Sequence, residues 1–387
     1  MPEVSIIMPT YNRADTIGRA IESVRRQTFE EWELIIIDDG STDGTPSLLS
    51  GADPRIKLIR QENRGCYVAR NAGLRESRGR FIAFLDSDDE WLPHFLEITT
   101  AFLRASPQDH FVMTEFLKYW GAHTPVRHDA YHIAPKFVRM AHTVGSHMLD
   151  LPPGETDDYL RVYETREALG DWGREIARRV GYGNAAQLYR GHIFEYLRWG
   201  YLGWLPATVL TRHALETIGP FLENYRSAAD YRFLGKLFRH FRANMITIPS
   251  ALKHDVGASG NHLTEGHLAT GANEYRFALN RLALFDELFW NEHKSDPEIN
   301  HIRGLYQAYT GRTALELGMR QAALDHLREA STFAPGLWRV YVLRFLTWLS
   351  PSDLMAGRLY RLYLKIKYLT GRLKPAYVRP GAETESG

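Results

Sequence analysis

Phe81-Ile82-Ala83-Phe84-Leu85-Asp86-Ser87-Asp88-Asp89 is the stretch on which the reading of the fold turns. The first five residues are apolar on both faces, which marks a central strand covered on both sides. Carboxylates follow at once. Just past such a strand they form an oxygen-ligand set for a hard divalent cation. Asp86 and Asp88 stand two apart, so in an extended turn both can reach a metal–nucleotide complex. A metal there neutralises the charge growing on a diphosphate, as a Lewis acid. The competing reading is local: Ser87, Asp88 or Asp89 caps a helix that begins near Trp91.

Upstream, short apolar runs alternate with helical patterns. Val4–Met8 reads as a strand, Asp15–Gln27 as a helix and Glu33–Asp38 as a strand. A short helix near Thr45 precedes a strand at Ile56–Arg60 and a helix at Cys66–Ser77. The quoted strand, Arg80–Leu85, comes next. Trp91–Ala105 reads as a helix and Phe111–Phe116 as a fifth strand. Strands alternating with helices predict βαβ units and a largely parallel α/β sheet.

Two more polar motifs follow strands. Pro9-Thr10-Tyr11-Asn12-Arg13 follows the first, and Asp38-Asp39-Gly40-Ser41-Thr42-Asp43-Gly44-Thr45 closes the second. Ligands of open α/β sheets bind beyond the carboxyl ends of the strands, so all three motifs face one crevice. Asp38 or Asp39 can accept a hydrogen bond from a base N–H, and Tyr11 can stack on a base, with Pro9 and Thr10 shaping the wall. Gly40–Gly44 makes a turn and caps the next helix. Arg70 and Asn71 are adjacent in Ala69-Arg70-Asn71-Ala72-Gly73 and so cannot share one helix face closely. Arg70 can pair with Asp39 or a phosphate, or stand solvated.

The chain has 387 residues, 44% of them hydrophobic, enough for one main domain with a smaller appended part. A formal charge of +1 gives no pointer to nucleic acid. Cys66 is the only cysteine, so no intrachain disulfide can form, which fits a reducing cytoplasm. Neither a signal peptide nor a membrane-spanning run is expected. Residues 118–190 break the βαβ rhythm. They are rich in His, Tyr, Arg and acidic residues, with a Pro152-Pro153-Gly154 turn. Strand character returns at Ala207–Thr211 and Asn244–Ile248, with a helix at Asp230–Phe241 between them. The domain reading is 1–260, with 118–190 as an insertion that sets acceptor specificity, then a helical region at 261–379 and a disordered tail at 380–387. Gly318, Ala323, Ala330 and Pro335 have the spacing of one tetratricopeptide-like hairpin, or of an ordinary helix pair with small residues at the crossing.

The motif set resembles the inverting family 2 glycosyltransferases of the GT-A fold. It comprises Pro-Thr-Tyr-Asn-Arg, Asp-Asp-Gly-Ser-Thr-Asp-Gly-Thr, Asn-x-Gly with Ala-Arg-Asn-Ala-Gly, and Leu-Asp-Ser-Asp-Asp-x-Trp. The match runs over about residues 3–116 and resumes more weakly over about 193–260. The resemblance implies a Rossmann-like nucleotide-binding domain with a mostly parallel mixed sheet. It also implies transfer of a sugar from a nucleotide-diphosphate donor to a saccharide or lipid-linked acceptor hydroxyl, in surface polysaccharide or glycoconjugate synthesis. Pro9, Tyr11, Asp38 and Asp39 would line the base site, Asp86 would meet the ribose or metal, and Asp88 would be the main ligand of Mg²⁺ or Mn²⁺. His254, with Asp255 as competitor, falls where related enzymes place a His near the diphosphate and metal. In Ser227-Ala228-Ala229-Asp230 the family's Glu-Asp pair is reduced to Ala229-Asp230, so Asp230 is the implied base without its acidic neighbour.

A sugar-nucleotide-forming nucleotidyltransferase needs a Gly-rich loop after the first strand; Pro9–Arg13 has no glycine. A non-catalytic scaffold protein of the same fold is the other alternative, favoured only by Ala229. Residues 357–379 carry seven basic side chains and no acidic one, interleaved with apolar residues. Such a segment either lies on the inner face of an anionic membrane or packs on the protein with a solvated basic face.

Overall fold

The computed structural model describes residues 1–49, 53–119, 158–199, 203–225, 227–254 and 271–350, together with 352, 353, 355, 356 and 358. The Pro152–Gly154 turn, Asp255, the tail 380–387 and, apart from Arg358, the basic segment 357–379 lie outside the described residues. The chain divides into two compact units, Met1–Glu265 and Gly266–Gly387.

The first unit is built on one ten-stranded mixed sheet, with helices against its faces. Its strands are β1 (Val4–Thr10), β2 (Trp32–Asp38), β3 (Ile56–Arg60), β4 (Phe81–Phe84), β5 (Glu90–Trp91), β6 (Phe111–Tyr119), β7 (Thr165–Ala168), β8 (Gln187–Gly191), β9 (Thr208–Thr211) and β10 (Ala243–His254). The order is β3-β2-β1-β4-β9-β6-β10-β8-β7, with β5 on β10. Pairing is parallel among β3, β2, β1 and β4 and between β6 and β10. It is antiparallel where β9, β8, β7 and β5 join. The helices are α1 (Ile17–Arg25), α2 (Thr45–Leu48), α3 (Cys66–Glu76), α4 (Phe95–Ala105), α5 (Asp171–Arg179), α6 (Arg212–Ile218) and α7 (Ala229–His240).

Every residue of β1 and β4 is buried, as doubly covered central strands require. The chain runs outward from β1 through β2 to β3 and then returns to the other side of β1 as β4. The order therefore reverses at β1 and β4, and the crevice beyond their carboxyl ends is the switch point of the sheet. Helix α3 lies close over this region. A Cβ on Gly73 would sit 2.6 Å from both Ile37 Cδ1 and Ile7 Cγ2, so only glycine permits that approach.

Three readings change. The segment Trp91–Ala105 is not one helix. Glu90–Trp91 pairs with Leu252 and Ala251 of β10, the Trp91 indole donates to Pro206 O at 2.7 Å, and the helix begins only at Phe95, after Pro93. The described part of 118–190 extends the sheet rather than interrupting it, because β7 and β8 continue it beyond β10. The strand at Asn244–Ile248 runs on to His254, with a register shift between Ile246 and Ala251 around Pro249.

The second unit is helical: α8 (Gly271–Phe285), α9 (Pro297–Glu316), α10 (Arg320–Phe333) and α11 (Trp338–Leu349). The small residues stand at a helix crossing. Ala323 and Ala330 are fully buried, Gly318 turns the chain at φ 74°, and a Cβ on Gly304 or Gly311 would collide with Ala334 or Leu327.

Candidate active site

Three loops at the switch point are stitched together by polar contacts. Asn12 has φ 51°, in the left-handed region that Asn tolerates. Its Oδ1 accepts from Thr42 N at 2.8 Å, and its own N–H donates to Ser41 Oγ at 3.0 Å. Arg13 N donates to Thr45 Oγ1 and Ala14 N to Asp43 Oδ2, so the first motif is clamped on the second. Thr16 Oγ1 donates to Ser87 O at 2.9 Å, which ties in the third. Pro9 is buried within β1, and Tyr11 leaves its ring exposed at the strand end.

Asp38 and Asp39 are both buried. Asp38 accepts from Ser41 N at 2.9 Å and faces Arg60 at 3.4 Å, which fixes the turn. Asp39 accepts from Gln61 Nε2 at 2.7 Å, Arg64 N at 3.0 Å and Gly65 N at 2.8 Å. Gly65, at φ 97°, turns that N–H toward the carboxylate. Asp39 thus anchors the entry to α3 and is not the partner of Arg70.

Arg70 pairs with Asp86, Nη2 to Oδ1 at 2.5 Å. Burial opposes its charge, but Asp86, Cys66, Tyr67 and Asp230 together outweigh it and raise its pKa above the ordinary guanidinium value. Its guanidinium also lies over the rings of Tyr67 and Phe221, at 5.5 and 5.6 Å. Asn71 points elsewhere, bonding Phe221 O at 2.9 Å, Glu223 Oε1 at 3.0 Å and Phe221 N at 3.0 Å. The adjacent positions serve different loops, as helical geometry requires.

Asp86, Asp88 and Asp89 offer ligand oxygens within 4.8 Å of one another. None of them, nor Ser87, caps α4, whose N-cap is His94 with no side-chain bond, so the capping reading is set aside. Arg13 Nη2 lies 3.4 Å from Asp88 Oδ2. Burial, then the Asp88 and Asp86 charges, push the Asp89 carboxyl well above its usual range. A converging, partly desolvated set of hard oxygens fits a divalent cation. His254 stands one bond from this set. Its backbone N–H donates to Asp89 Oδ1 at 3.0 Å, while its ring Nε2 lies 2.8 Å from Glu90 Oε1.

One turn before Arg70 on α3, Tyr67 Oη donates to Asp230 Oδ1 at 3.3 Å and accepts from Ala229 N at 3.2 Å. Burial, then the Asp230 charge, raises the Tyr67 pKa well above its normal value, so the phenol remains a donor. Asp230 is not the N-cap of α7. Ala228 holds that place at φ 66° with no side-chain bond, and Asp230 sits in the first turn. Tyr67, Arg13, Gln61 and Glu90 were not singled out from the sequence. Arg13 ends the first motif and Tyr67 immediately precedes Val68-Ala69-Arg70-Asn71, which are the local signals available.

A GT-A-type nucleotide-binding fold with a carboxylate cluster at its switch point defines the class. Residues 5–156 match the family model described as glycosyl transferase family 2, so this part of the chain is a domain of that family. Among curated relatives, 97 residues are 50% identical to the Escherichia coli UDP-Glc:alpha-D-GlcNAc-diphosphoundecaprenol beta-1,3-glucosyltransferase WfgD, over 24% of this chain and 38% of that protein. In a second comparison, 95 residues are 48% identical to the Rhizobium meliloti succinoglycan biosynthesis protein ExoO, over 24% of this chain and 27% of that protein. The chain thus spans well under half the length of these relatives. Among solved structures, S. aureus TarS 1-349 in complex with UDP-GlcNAc superposes with a TM-score of 0.55 at 18% identity, over 96% of this chain and 92% of that one. That likeness concerns the fold.

Proposed function

We propose that this protein is an inverting, metal-dependent glycosyltransferase. It moves a sugar from a nucleotide-diphosphate donor to a saccharide or lipid-linked acceptor hydroxyl in surface polysaccharide or glycoconjugate synthesis. The observation that carries the reading is the position of α3. Within two turns it touches Asp39 through Gly65, Asp230 through Tyr67, Asp86 through Arg70 and Glu223 through Asn71. Base-side, diphosphate-side and acceptor-side carboxylates therefore share one rigid support.

In this reading Tyr11 offers its exposed ring to the base, and Pro9, Asp38 and Asp39 form the wall behind it. Asp88 and Asp86 would hold Mg²⁺ or Mn²⁺, which supplies Lewis-acid neutralisation of the diphosphate. His254 would join them only by leaving Glu90. Arg13 and Arg70 add fixed positive charge beside the same leaving group. Asp230 accepts the proton of the acceptor hydroxyl as it attacks opposite the departing diphosphate, which inverts the anomeric carbon.

The names of the relatives suggest the first panel: UDP-sugars as donors and polyprenyl-diphosphate saccharides as acceptors. Release of UDP with a product bearing the inverted linkage supports the proposal. A protein that binds Mn²⁺ and UDP-sugar yet neither transfers nor hydrolyses it across the panel would favour the scaffold alternative, to which Ala229 alone points.

A further inference from the structure

Helix α11 buries one face and exposes an aromatic stripe on the other. Val340 and Leu343 pack with Ala314, Leu315, Ala323, Leu327, Ala330 and Ala356 in the core of the second unit, and Thr347 is fully buried beside them. Opposite stand Tyr341, Phe345 and Trp348, 44%, 57% and 65% exposed, and Met355 beyond the helix end is exposed as well. Positions i, i+4 and i+7 fall on one face of an α-helix. The buried face fixes the orientation of this helix in its unit, so the stripe is a feature of a packed element. Phe345 and Trp348 stack on each other at 6.3 Å, which leaves a flat apolar surface and spares neither ring from water.

The sequence from the stripe onward is strongly basic. Between Ala330 and Arg379 the sequence holds nine Lys and Arg residues and a single acidic one, Asp353. Trp and Tyr belong at the level of lipid headgroups, where an apolar ring and a polar edge are both satisfied. Basic residues add attraction to anionic lipid. A protein partner would need acidic side chains matched to this field, whereas an anionic bilayer presents negative charge and apolar depth together.

We propose that the Tyr341-Phe345-Trp348 face of α11 is a membrane-docking surface that seats the second unit on an anionic lipid bilayer. The rings enter the headgroup region, and basic residues of the sequence that carries and follows them hold the phosphates. This inference stands apart from the glycosyltransferase reading, since it uses no residue of the first unit.

The test is flotation of the full chain with vesicles of phosphatidylcholine alone and of phosphatidylcholine containing phosphatidylglycerol. The triple variant Tyr341→Ser, Phe345→Ser, Trp348→Ser is run beside the wild type. The expected result is recovery of the wild type with anionic vesicles, weakened by salt. The variant should partition roughly tenfold or more less, on the scale of burying large apolar side chains, with unchanged Tm and unchanged Mn²⁺ binding. Three results overturn the proposal. The variant floats like the wild type, so the basic residues act without the rings. The variant loses a self-associated state in sedimentation without vesicles, so a second copy covers the stripe. The variant unfolds at a clearly lower temperature, so the rings are covered within the chain.

Discussion

Tyr67 and Asp230, 163 positions apart, are joined by a hydrogen bond of 3.3 Å from the phenol to the carboxylate, and the same phenol oxygen accepts from Ala229 N at 3.2 Å. Tyr67 is thus bonded both to the proposed base and to the backbone of the residue that replaces the family's acidic neighbour. Where a carboxylate at 229 would repel Asp230, a buried phenol donates to it.

Tyr67→Phe removes both bonds and little volume. Leaving a buried donor and acceptor without this partner costs about 1–3 kcal/mol, so the variant should fold with a lowered Tm. The transfer rate should fall roughly tenfold as Asp230 loses its orientation, with donor affinity held. Steady-state kinetics beside calorimetric donor titration checks this split; a loss confined to donor affinity would place Tyr67 in the donor site instead.

Removing the metal tests the carboxylate cluster. Asp88→Asn is expected to weaken Mn²⁺ binding and to remove nearly all transfer, and excess chelator should do the same to the wild type. Mn²⁺ affinity can be read by electron paramagnetic resonance without any substrate. Full turnover in chelator would end the metal-dependent reading.

The parallel half of the sheet was legible because its strands are buried on both faces and are followed by motifs. Phe81–Phe84 announces itself by unbroken apolarity, and Val4–Thr10 by an apolar run broken only at Ser5 before it ends in Thr10. By contrast β7, Thr165-Arg166-Glu167-Ala168, is mostly exposed at a sheet edge, and its composition carries no strand signal. Trp91 looks helical in sequence because a helical period begins just after it, yet its backbone pairs with Ala251 of β10 and its indole donates to Pro206 O ahead of β9. Of the site, the carboxylates were visible as motifs. The contacts among them were not. For Arg70 the sequence offers Asp39 or a phosphate, and only the path of α3 over the sheet selects Asp86.

Gly73→Ala should destabilise although it lies in a helix. Replacing glycine by alanine in a helix interior normally gains about 1 kcal/mol. Here the new Cβ would lie 2.6 Å from Ile37 Cδ1 and Ile7 Cγ2. Overpacking costs about 1–3 kcal/mol, so the net change is a loss and the Tm should fall by several degrees. A raised Tm would mean that α3 can lift off the sheet without penalty.

Cys66 opens α3, and desolvation, opposed by Arg70 and aided by Asp86, Asp230 and Asp39, takes its thiol pKa from 9.0 to about 11. A folded-state pKa raised in this way favours the protonated form. The associated stability is present below about pH 9 and is lost as pH rises toward about 11. At pH 8 the thiolate fraction is about 10⁻³ in the fold, so iodoacetamide should react roughly a hundredfold more slowly than with the unfolded chain. Timed alkylation with and without urea measures the ratio; equal rates would contradict a raised thiol pKa.

Asp230→Asn isolates the proposed base from its rivals. A capping role no longer competes, because Ala228 occupies the N-cap and Asp230 lies in the first turn of α7. The amide keeps the size of the carboxylate and can still accept from Tyr67 Oη through its carbonyl oxygen, so the fold and the metal–donor site should be preserved. It cannot take a proton from an attacking hydroxyl. Transfer should therefore fall by about 10²-fold or more, the scale of general-base catalysis, with Mn²⁺ and donor affinities near those of the wild type. Glu223→Gln is the matched comparison. Glu223 accepts from Asn71 Nδ2 at 3.0 Å, which marks it as a brace of the Phe221–Glu223 loop. Glutamine keeps an oxygen for that bond, so the expected loss is a few-fold. If the two outcomes are reversed, the proton goes to Glu223, and Asp230 is the residue that positions the loop.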